Sequence, residues 1–212
     1  MAYGARLSSS APAETKMDDF YEQQSVDTPL AFAGLTNIFV PWYVVKQYSA
    51  AAEVQMGRIL DGLREAERRG RAHDQTWSRF QRQAFVDIHG YFTCWRQVHT
   101  MLAVIDGGVL DAGVKAVYAA HRPTLQRYRD ARDHLEHFDE RLRGQRRRNP
   151  VSTASGDLGN LAGSDYTFHG EIWDVSPASL DLLLTIVGEF ESALRTYALQ
   201  EARARRESLS TT

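Results

Sequence analysis

The chain has 212 residues, of which 43% are hydrophobic and 25% charged, and its formal net charge is −2. This composition is that of an ordinary globular protein, and the length favours one domain with a core that needs no metal or disulfide. The near-neutral charge excludes a general electrostatic attraction to nucleic acid or membranes, so only local patches can provide one.

The single cysteine, Cys94, excludes an intramolecular disulfide and fits a reducing cytoplasm, which is the location we expect. It lies in the apolar stretch GYFTCWRQV, which favours a buried structural thiol over a nucleophile. The first residues lack the apolar core of a signal peptide, and no run of about 18 apolar residues predicts a membrane span. Arginines outnumber lysines 22 to 3, which we interpret as the codon bias of a GC-rich, bacterial genome.

The first part of the chain is predicted to become ordered gradually. Residues 1–25 are rich in Ser, Ala and charge and have little helical period, so we expect a disordered tail. A short buried helix and a connector should follow over 28–42, with breaks at Gly34 and Pro41. Apolar residues then recur at spacings of two to four over about 43–69, which predicts the first long helix.

Two further long helices are predicted in the middle of the chain. The second covers about 74–105, has Asp74 as its N-cap, and is apolar on nearly all sides, as is typical of a helix at the centre of a bundle. The third covers about 110–142 and contains Pro123, which should kink it or start a new helix.

The last part of the chain begins with a segment over 145–164 that is rich in turn-forming residues and predicts an exposed loop. Alternating apolar residues over 165–176 predict a small β-hairpin. Ser176 and Pro177 form a good N-cap and first helical position for a last helix that ends near residue 206.

Together these elements predict an all-α fold, an antiparallel bundle of about four long helices with a small β-hairpin inserted before the last one. We expect one domain over 26–207, in which the loop and hairpin insertion spans 145–176. Residues 208–212 should be a disordered C-terminal end.

The third helix carries a densely charged stretch, RDARDHLEHFDERLRG, over 129–144. On a helical wheel of about 100° per residue, apolar side chains form one core-facing stripe at steps of three and four. The members of that stripe are Leu125, Tyr128, Ala131, Leu135, Phe138 and Leu142. Asp133 and His137 lie on the opposite side, and Arg132 lies at the edge between the polar side and the core.

Two interpretations of this stretch are a solvated helix face and a metal site. A solvated face would hold ordinary (i, i+4) pairs such as Arg129 with Asp133, each contributing about 0.2–0.5 kcal/mol. A metal site would use His134 and His137 together with neighbouring carboxylates. Helical metal bundles, however, take Glu-x-x-His from two helices, and that spacing does not occur in the sequence.

A third interpretation comes from the stretch RDHLEH at 132–137. It resembles the R-x4–6-H motif of the HEPN superfamily, in which Asn, Asp or His usually follows the arginine. Arg132 and His137 match the two ends of the motif, and Asp133 matches the polar position. HEPN domains are helical bundles with the motif on a late helix, as here. The resemblance covers the bundle loosely and is specific only around the motif.

The resemblance implies a metal-independent endoribonuclease that needs no cofactor. The RNA 2′-hydroxyl attacks the adjacent phosphate and leaves a 2′,3′-cyclic phosphate. His137 would transfer a proton near neutral pH, and Arg132 would hold the phosphate and stabilise its developing charge. Asp133 or Glu136 would orient His137 or Arg132.

The resemblance also implies a homodimer in a toxin–antitoxin or phage-defence setting, with an antitoxin or another protein as a partner. Arg132 and His137 are five residues apart and therefore point about 140° from one another. A site shared between two facing helices is easier to build from this arrangement than a compact site on one helix.

The charges around the motif depart from the usual pattern. Asp133 replaces the commoner Asn, and Glu136 adds further negative charge, so RNA would be repelled unless arginines compensate. The candidates for contacts to the RNA backbone are Arg129, Arg146, Arg147 and Arg148. The pattern of the tract at 143–148 nevertheless favours a solvated loop. Because several HEPN proteins are non-catalytic, a scaffold or partner-binding module stays open as the alternative.

The tryptophans are candidate base-stacking platforms. Trp77 and Trp95 lie in apolar helical stripes, which favours the core for both. The hairpin residues Tyr166, Phe168 and Trp173 either form an exposed binding edge or, as the pattern favours, pack the hairpin onto the bundle.

Overall fold

The computed structural model describes residues 27–136, 160–168 and 171–210. Within these ranges the chain forms five helices, α1 Asp27–Phe32, α2 Thr36–Arg71, α3 Trp77–Gly108, α4 Ala112–Glu136 and α5 Pro177–Ser210. Three short strands, β1 Asn160–Ala162, β2 Asp165–Phe168 and β3 Glu171–Asp174, precede α5. The predicted all-α bundle with a small antiparallel insertion before the last helix is confirmed. None of the described helices is both long and apolar enough to cross a membrane.

The four long helices pack in a ring. α3 packs on α2 and α4, and α5 closes the ring by packing on α4 and α2. Short connections over 72–76 and 109–111 join α2 to α3 and α3 to α4, which makes consecutive helices antiparallel neighbours. α3 buries side chains from Ala84 to Ile105 and packs against two neighbouring helices, which agrees with the apolar character predicted for the second long helix.

The start of α2 differs from the prediction. α1 ends in a turn in which the Gly34 N–H donates to the Ala31 carbonyl and the Leu35 N–H to the Leu30 carbonyl, both at 3.0 Å. Gly34 has φ +64°, as such a helix end requires. α2 then begins at Thr36, not at residue 43, and includes Pro41. Pro41 is the sixth residue of α2, so the helix lacks the one backbone bond that a residue there would donate to the Asn37 carbonyl.

The later helices also differ in detail from the prediction. α4 continues through Pro123 as one element. α5 extends to Ser210, beyond the predicted end near residue 206 and into the end that we expected to be disordered. Its predicted start is confirmed, since the Ala178 N–H donates to Ser176 Oγ at 3.2 Å.

The insertion contains a three-stranded antiparallel sheet in the order β1-β2-β3. The β2–β3 pair is the predicted hairpin, with Tyr166 opposite Trp173. β1 falls in the segment predicted as a loop, and its turn to β2 contains Gly163 with φ +63°. β1 has only three residues. This is too few to show an alternating apolar pattern, so the sequence did not reveal the strand.

The sheet packs onto the bundle through aromatic side chains. Tyr166 and Trp173 are buried, and their ring centroids lie 5.6 and 6.5 Å from that of Phe92 on α3. Trp95 of α3 stacks on Tyr128 of α4 at 3.9 Å. The packing interpretation of the hairpin is therefore correct for these two side chains, and Trp95 belongs to the core. Trp77 does not, because it lies at the start of α3 with 42% of its surface exposed.

The cysteine has the structural role that the sequence predicts. Cys94 is buried in the core on α3. Burial raises the pKa of its thiol to about 11, so the thiolate needed for nucleophilic chemistry is disfavoured at neutral pH.

Candidate functional site

The structure describes part of the predicted site. Arg129, Arg132 and Asp133 lie on the C-terminal turns of α4. Glu136 is the last residue of α4, but its side chain lies outside the described residues, as does all of His137. Also outside are Arg146, Arg147 and Arg148. The roles given to these five residues remain predictions.

The Asp133 carboxylate lies among three guanidinium groups. Its Oδ1 is 3.6 Å from Arg132 Nη1 and 3.7 Å from Nε of Arg96 on α3. Its Oδ2 is 3.8 Å from Arg129 Nε. Arg96, Arg129 and Arg132 form what we call the arginine cluster, and the Asp133 carboxylate lies between them. Sequence reasoning missed Arg96, because nothing in the local pattern of α3 indicates which residue of α4 it faces.

The arginine cluster is positively charged and partly withdrawn from water. The three guanidinium groups carry a formal charge of +3 and the Asp133 carboxylate carries −1, so the net formal charge of these four groups is +2. The Arg132 side chain is only 13% exposed. Burial, and then the nearby Arg96 charge, lower the pKa of Arg132, although an arginine remains charged at any ordinary pH.

These contacts bear on the solvated-face interpretation of the charged helix. The predicted pair of Arg129 with Asp133 is present. A merely solvated face, however, does not describe Arg132, because this side chain is mostly buried where α4 meets α3. Its position at the edge between the polar side and the core, as the helical wheel predicts, is what brings it into that interface.

Histidine side chains from α3 line the same interface. His89 is half-buried, and burial together with the Arg132 charge lowers its pKa. It is therefore neutral near pH 7, and a neutral imidazole can both donate and accept a hydrogen bond.

A second polar contact joins α3 and α4 at His99, three residues after Arg96. His99 is buried, and its Nε2 lies 3.2 Å from the Tyr118 hydroxyl. Its Nδ1 is also buried and has no hydrogen-bond partner among the residues that the structure describes. Burial lowers the His99 pKa, as do the Arg129 and Arg122 charges, and these outweigh the opposing effect of Asp130. The imidazole is thus held neutral within the helix interface.

We expect the lowered pKa of His99 to make stability depend on pH. In the unfolded chain His99 takes up a proton near its ordinary pKa of about 6.5, whereas in the folded protein it stays neutral to lower pH. The unfolded state therefore binds more protons in this window. The contribution of His99 to the free energy of unfolding is therefore complete above about pH 6.5. It decreases as the pH drops toward the lowered pKa of the folded protein, and His89 acts in the same direction.

Urea denaturation between about pH 5 and 8 checks this prediction. His99→Gln should reduce the loss of stability on the acid side of the window, because glutamine has no proton to take up. His73→Asn is the matched control, since His73 is exposed in the α2–α3 turn with φ +54°. Equal pH slopes for wild type and His99→Gln would contradict the prediction.

The metal interpretation receives no support from the described side chains. Among them, no three His, Cys, Asp or Glu residues come together as a group that could hold a metal ion. The side chains of His134, Glu136 and His137, which that interpretation needs, lie outside the described residues.

Comparison with protein-family models, curated proteins and solved structures gave no match for the chain. The functional conclusion therefore depends on the motif and on the geometry of the arginine cluster.

Proposed function

We propose that the chain is a HEPN-like, metal-independent endoribonuclease that binds the RNA phosphate at the arginine cluster. The observation that supports this is the convergence of Arg96, Arg129 and Arg132 on one carboxylate within the HEPN-like motif. Guanidinium groups offer planar pairs of donors that match phosphate oxygens. Donors already held in place stabilise the charge that develops on the phosphate in the transition state.

Each residue of the motif has one role in this proposal. The RNA 2′-oxygen forms a bond to phosphorus while the bond to the 5′-oxygen breaks. His137 accepts the 2′-hydroxyl proton, and the His137 of a second copy protonates the leaving 5′-oxygen in a homodimer. Arg132 holds the phosphate, and Glu136, four residues later on the helix, orients Arg132. Asp133 holds the arginines together in the free protein.

Incubation of the purified protein with labelled RNA in EDTA tests this function. We expect the wild type to cleave and to leave 2′,3′-cyclic phosphate ends. Arg132→Ala/His137→Ala should cleave at least about 100-fold more slowly, because both phosphate binding and proton transfer are lost. Arg79→Ala is the control, since Arg79 is an exposed arginine near the N-terminal end of α3, whereas Arg96 of the arginine cluster lies in the C-terminal half of that helix.

Circular dichroism and thermal denaturation would establish that all three proteins are folded. Cleavage at the wild-type rate by the folded double variant would refute the assignment of the site. Cleavage that stops in EDTA would refute a metal-independent mechanism.

A non-catalytic interaction module is the second candidate, and one observation favours it. Arg132 is mostly buried and ion-paired with Asp133, an arrangement that also suits a helix whose charges stabilise an interface. This candidate predicts no cleavage by the wild type in the same assay. It also predicts that the charged helix binds an antitoxin or another protein partner.

A further inference from the structure

Asp133 lies where the arginine cluster would hold a phosphate. We propose that Asp133 is an internal competitor of the substrate, a carboxylate that offsets part of the positive charge of the cluster in the free protein and is displaced when an RNA phosphate binds. This inference rests on the proposed function for its substrate class, and it concerns the same site.

The geometry of Asp133 is that of a weakly held anion. Its oxygens are 3.6–3.8 Å from the nearest arginine nitrogens, whereas charge-assisted hydrogen bonds between these groups measure about 2.7–2.9 Å. From its position on α4, the Asp133 carboxylate does not reach hydrogen-bond distance of any of the three guanidinium groups. An RNA phosphodiester also carries its charge on two non-bridging oxygens, but it is not attached to the backbone of α4 and can place them within hydrogen-bond distance of the guanidinium donors.

The exposure of the two partners determines which one can move. The Asp133 side chain is 33% exposed, so water is already in contact with the carboxylate and can hydrate it when it turns outward. The Arg132 side chain is mostly buried and stays in place. Because ion pairs with partly exposed members contribute little, the displacement of Asp133 costs little.

The chain offers a matched control on the same helix. Asp130 lies three residues before Asp133, and its Oδ1 accepts a hydrogen bond of 2.8 Å from Gln126 Nε2. Asp130→Asn and Asp133→Asn therefore remove the same formal charge from nearly the same part of α4. The two variants differ in whether the carboxylate occupies the arginine cluster.

The experiment measures the dissociation constant of a fluorescent 2′-O-methyl RNA oligonucleotide by anisotropy. This probe has no free 2′-hydroxyl and is therefore bound without being cleaved. We expect Asp133→Asn to bind it about threefold more tightly than Asp130→Asn does, in line with the small free energy of a partly exposed ion pair. Thermal denaturation of both variants checks that they are folded.

A second pair of variants tests whether the phosphate binds at the arginine cluster. Arg96→Gln should weaken binding of the probe about threefold or more and reduce the slope of log K against log salt by about 0.7, the value of one phosphate contact on a single strand. Arg79→Gln, an exposed arginine of the same helix, should change neither quantity comparably.

Binding by Asp133→Asn that is no tighter than binding by Asp130→Asn, including no binding by either, would overturn the inference. That result leaves the ribonuclease assay to decide the proposed function independently. Tighter binding by Asp133→Asn, together with no cleavage of unmodified RNA by the wild type, would support the internal competitor and reject the ribonuclease.

Discussion

Replacement of Trp173 by alanine should lower the free energy of unfolding by about 4 kcal/mol, the typical cost of removing a buried tryptophan. The Trp173 side chain is fully buried. Its ring packs against Phe92 and Tyr166, and its Nε1–H donates to the Arg127 carbonyl of α4 at 3.2 Å. No smaller side chain can fill this space and also keep the hydrogen bond.

Chemical denaturation of the purified variants measures this effect. Ile172→Ala is the matched control, because Ile172 is the preceding residue of β3 but is 51% exposed, so we expect less than about 1 kcal/mol there. Trp173→Phe should fall between the two, since it keeps an aromatic ring and loses the hydrogen bond. Similar losses of stability for Trp173→Ala and Ile172→Ala would contradict the packing described here.

The effect of Trp173→Ala should extend to the region of the candidate site. Arg127 Nη2 donates to the Ile172 carbonyl at 2.7 Å, and the Tyr128 hydroxyl donates to the Asp174 carbonyl at 3.1 Å. These contacts hold β3 against the turn of α4 that precedes Arg129. The sheet therefore supports the part of α4 that carries the arginine cluster.

Arg58→Met should lower the free energy of unfolding by about 2–3 kcal/mol, because it leaves a buried carboxylate without its cation. Asp87 of α3 has only 4% of its side chain exposed, and its Oδ1 lies 2.9 Å from Nη2 of Arg58 on α2. Gln83 adds a hydrogen bond of 3.3 Å to the other oxygen. This hydrogen bond alone does not compensate for burial of the charge.

Two variants show whether burial causes this loss. Arg64 lies on the same helix as Arg58 and pairs with the exposed Asp61. We expect Arg64→Met to change the free energy of unfolding by no more than about 0.5 kcal/mol. Arg58→Met/Asp87→Ala should be more stable than Arg58→Met alone, because no buried charge remains. A double variant that is less stable than the single one would show that Arg58 acts through packing instead.

Local sequence patterns determined the helices of this protein. Apolar residues at helical spacing predicted the four long helices, because one apolar face must be buried whatever lies opposite. Ser176 followed by Pro177 predicted the start of α5, since a cap depends only on neighbouring residues. The same reasoning located Arg132 at the border between the polar side and the core, where the structure has it.

Contacts between helices were decided only by the tertiary structure. Arg96 reaches Asp133 because α3 and α4 pack with a particular rotation and register, and neither quantity is encoded in the pattern of one helix. Trp77 has the composition of a core residue, yet it lies at a helix start that no neighbour covers fully. The sequence by itself thus determined which helices form and where the charged motif lies, whereas the arrangement of charges around Asp133 depends on packing between segments that are distant along the chain.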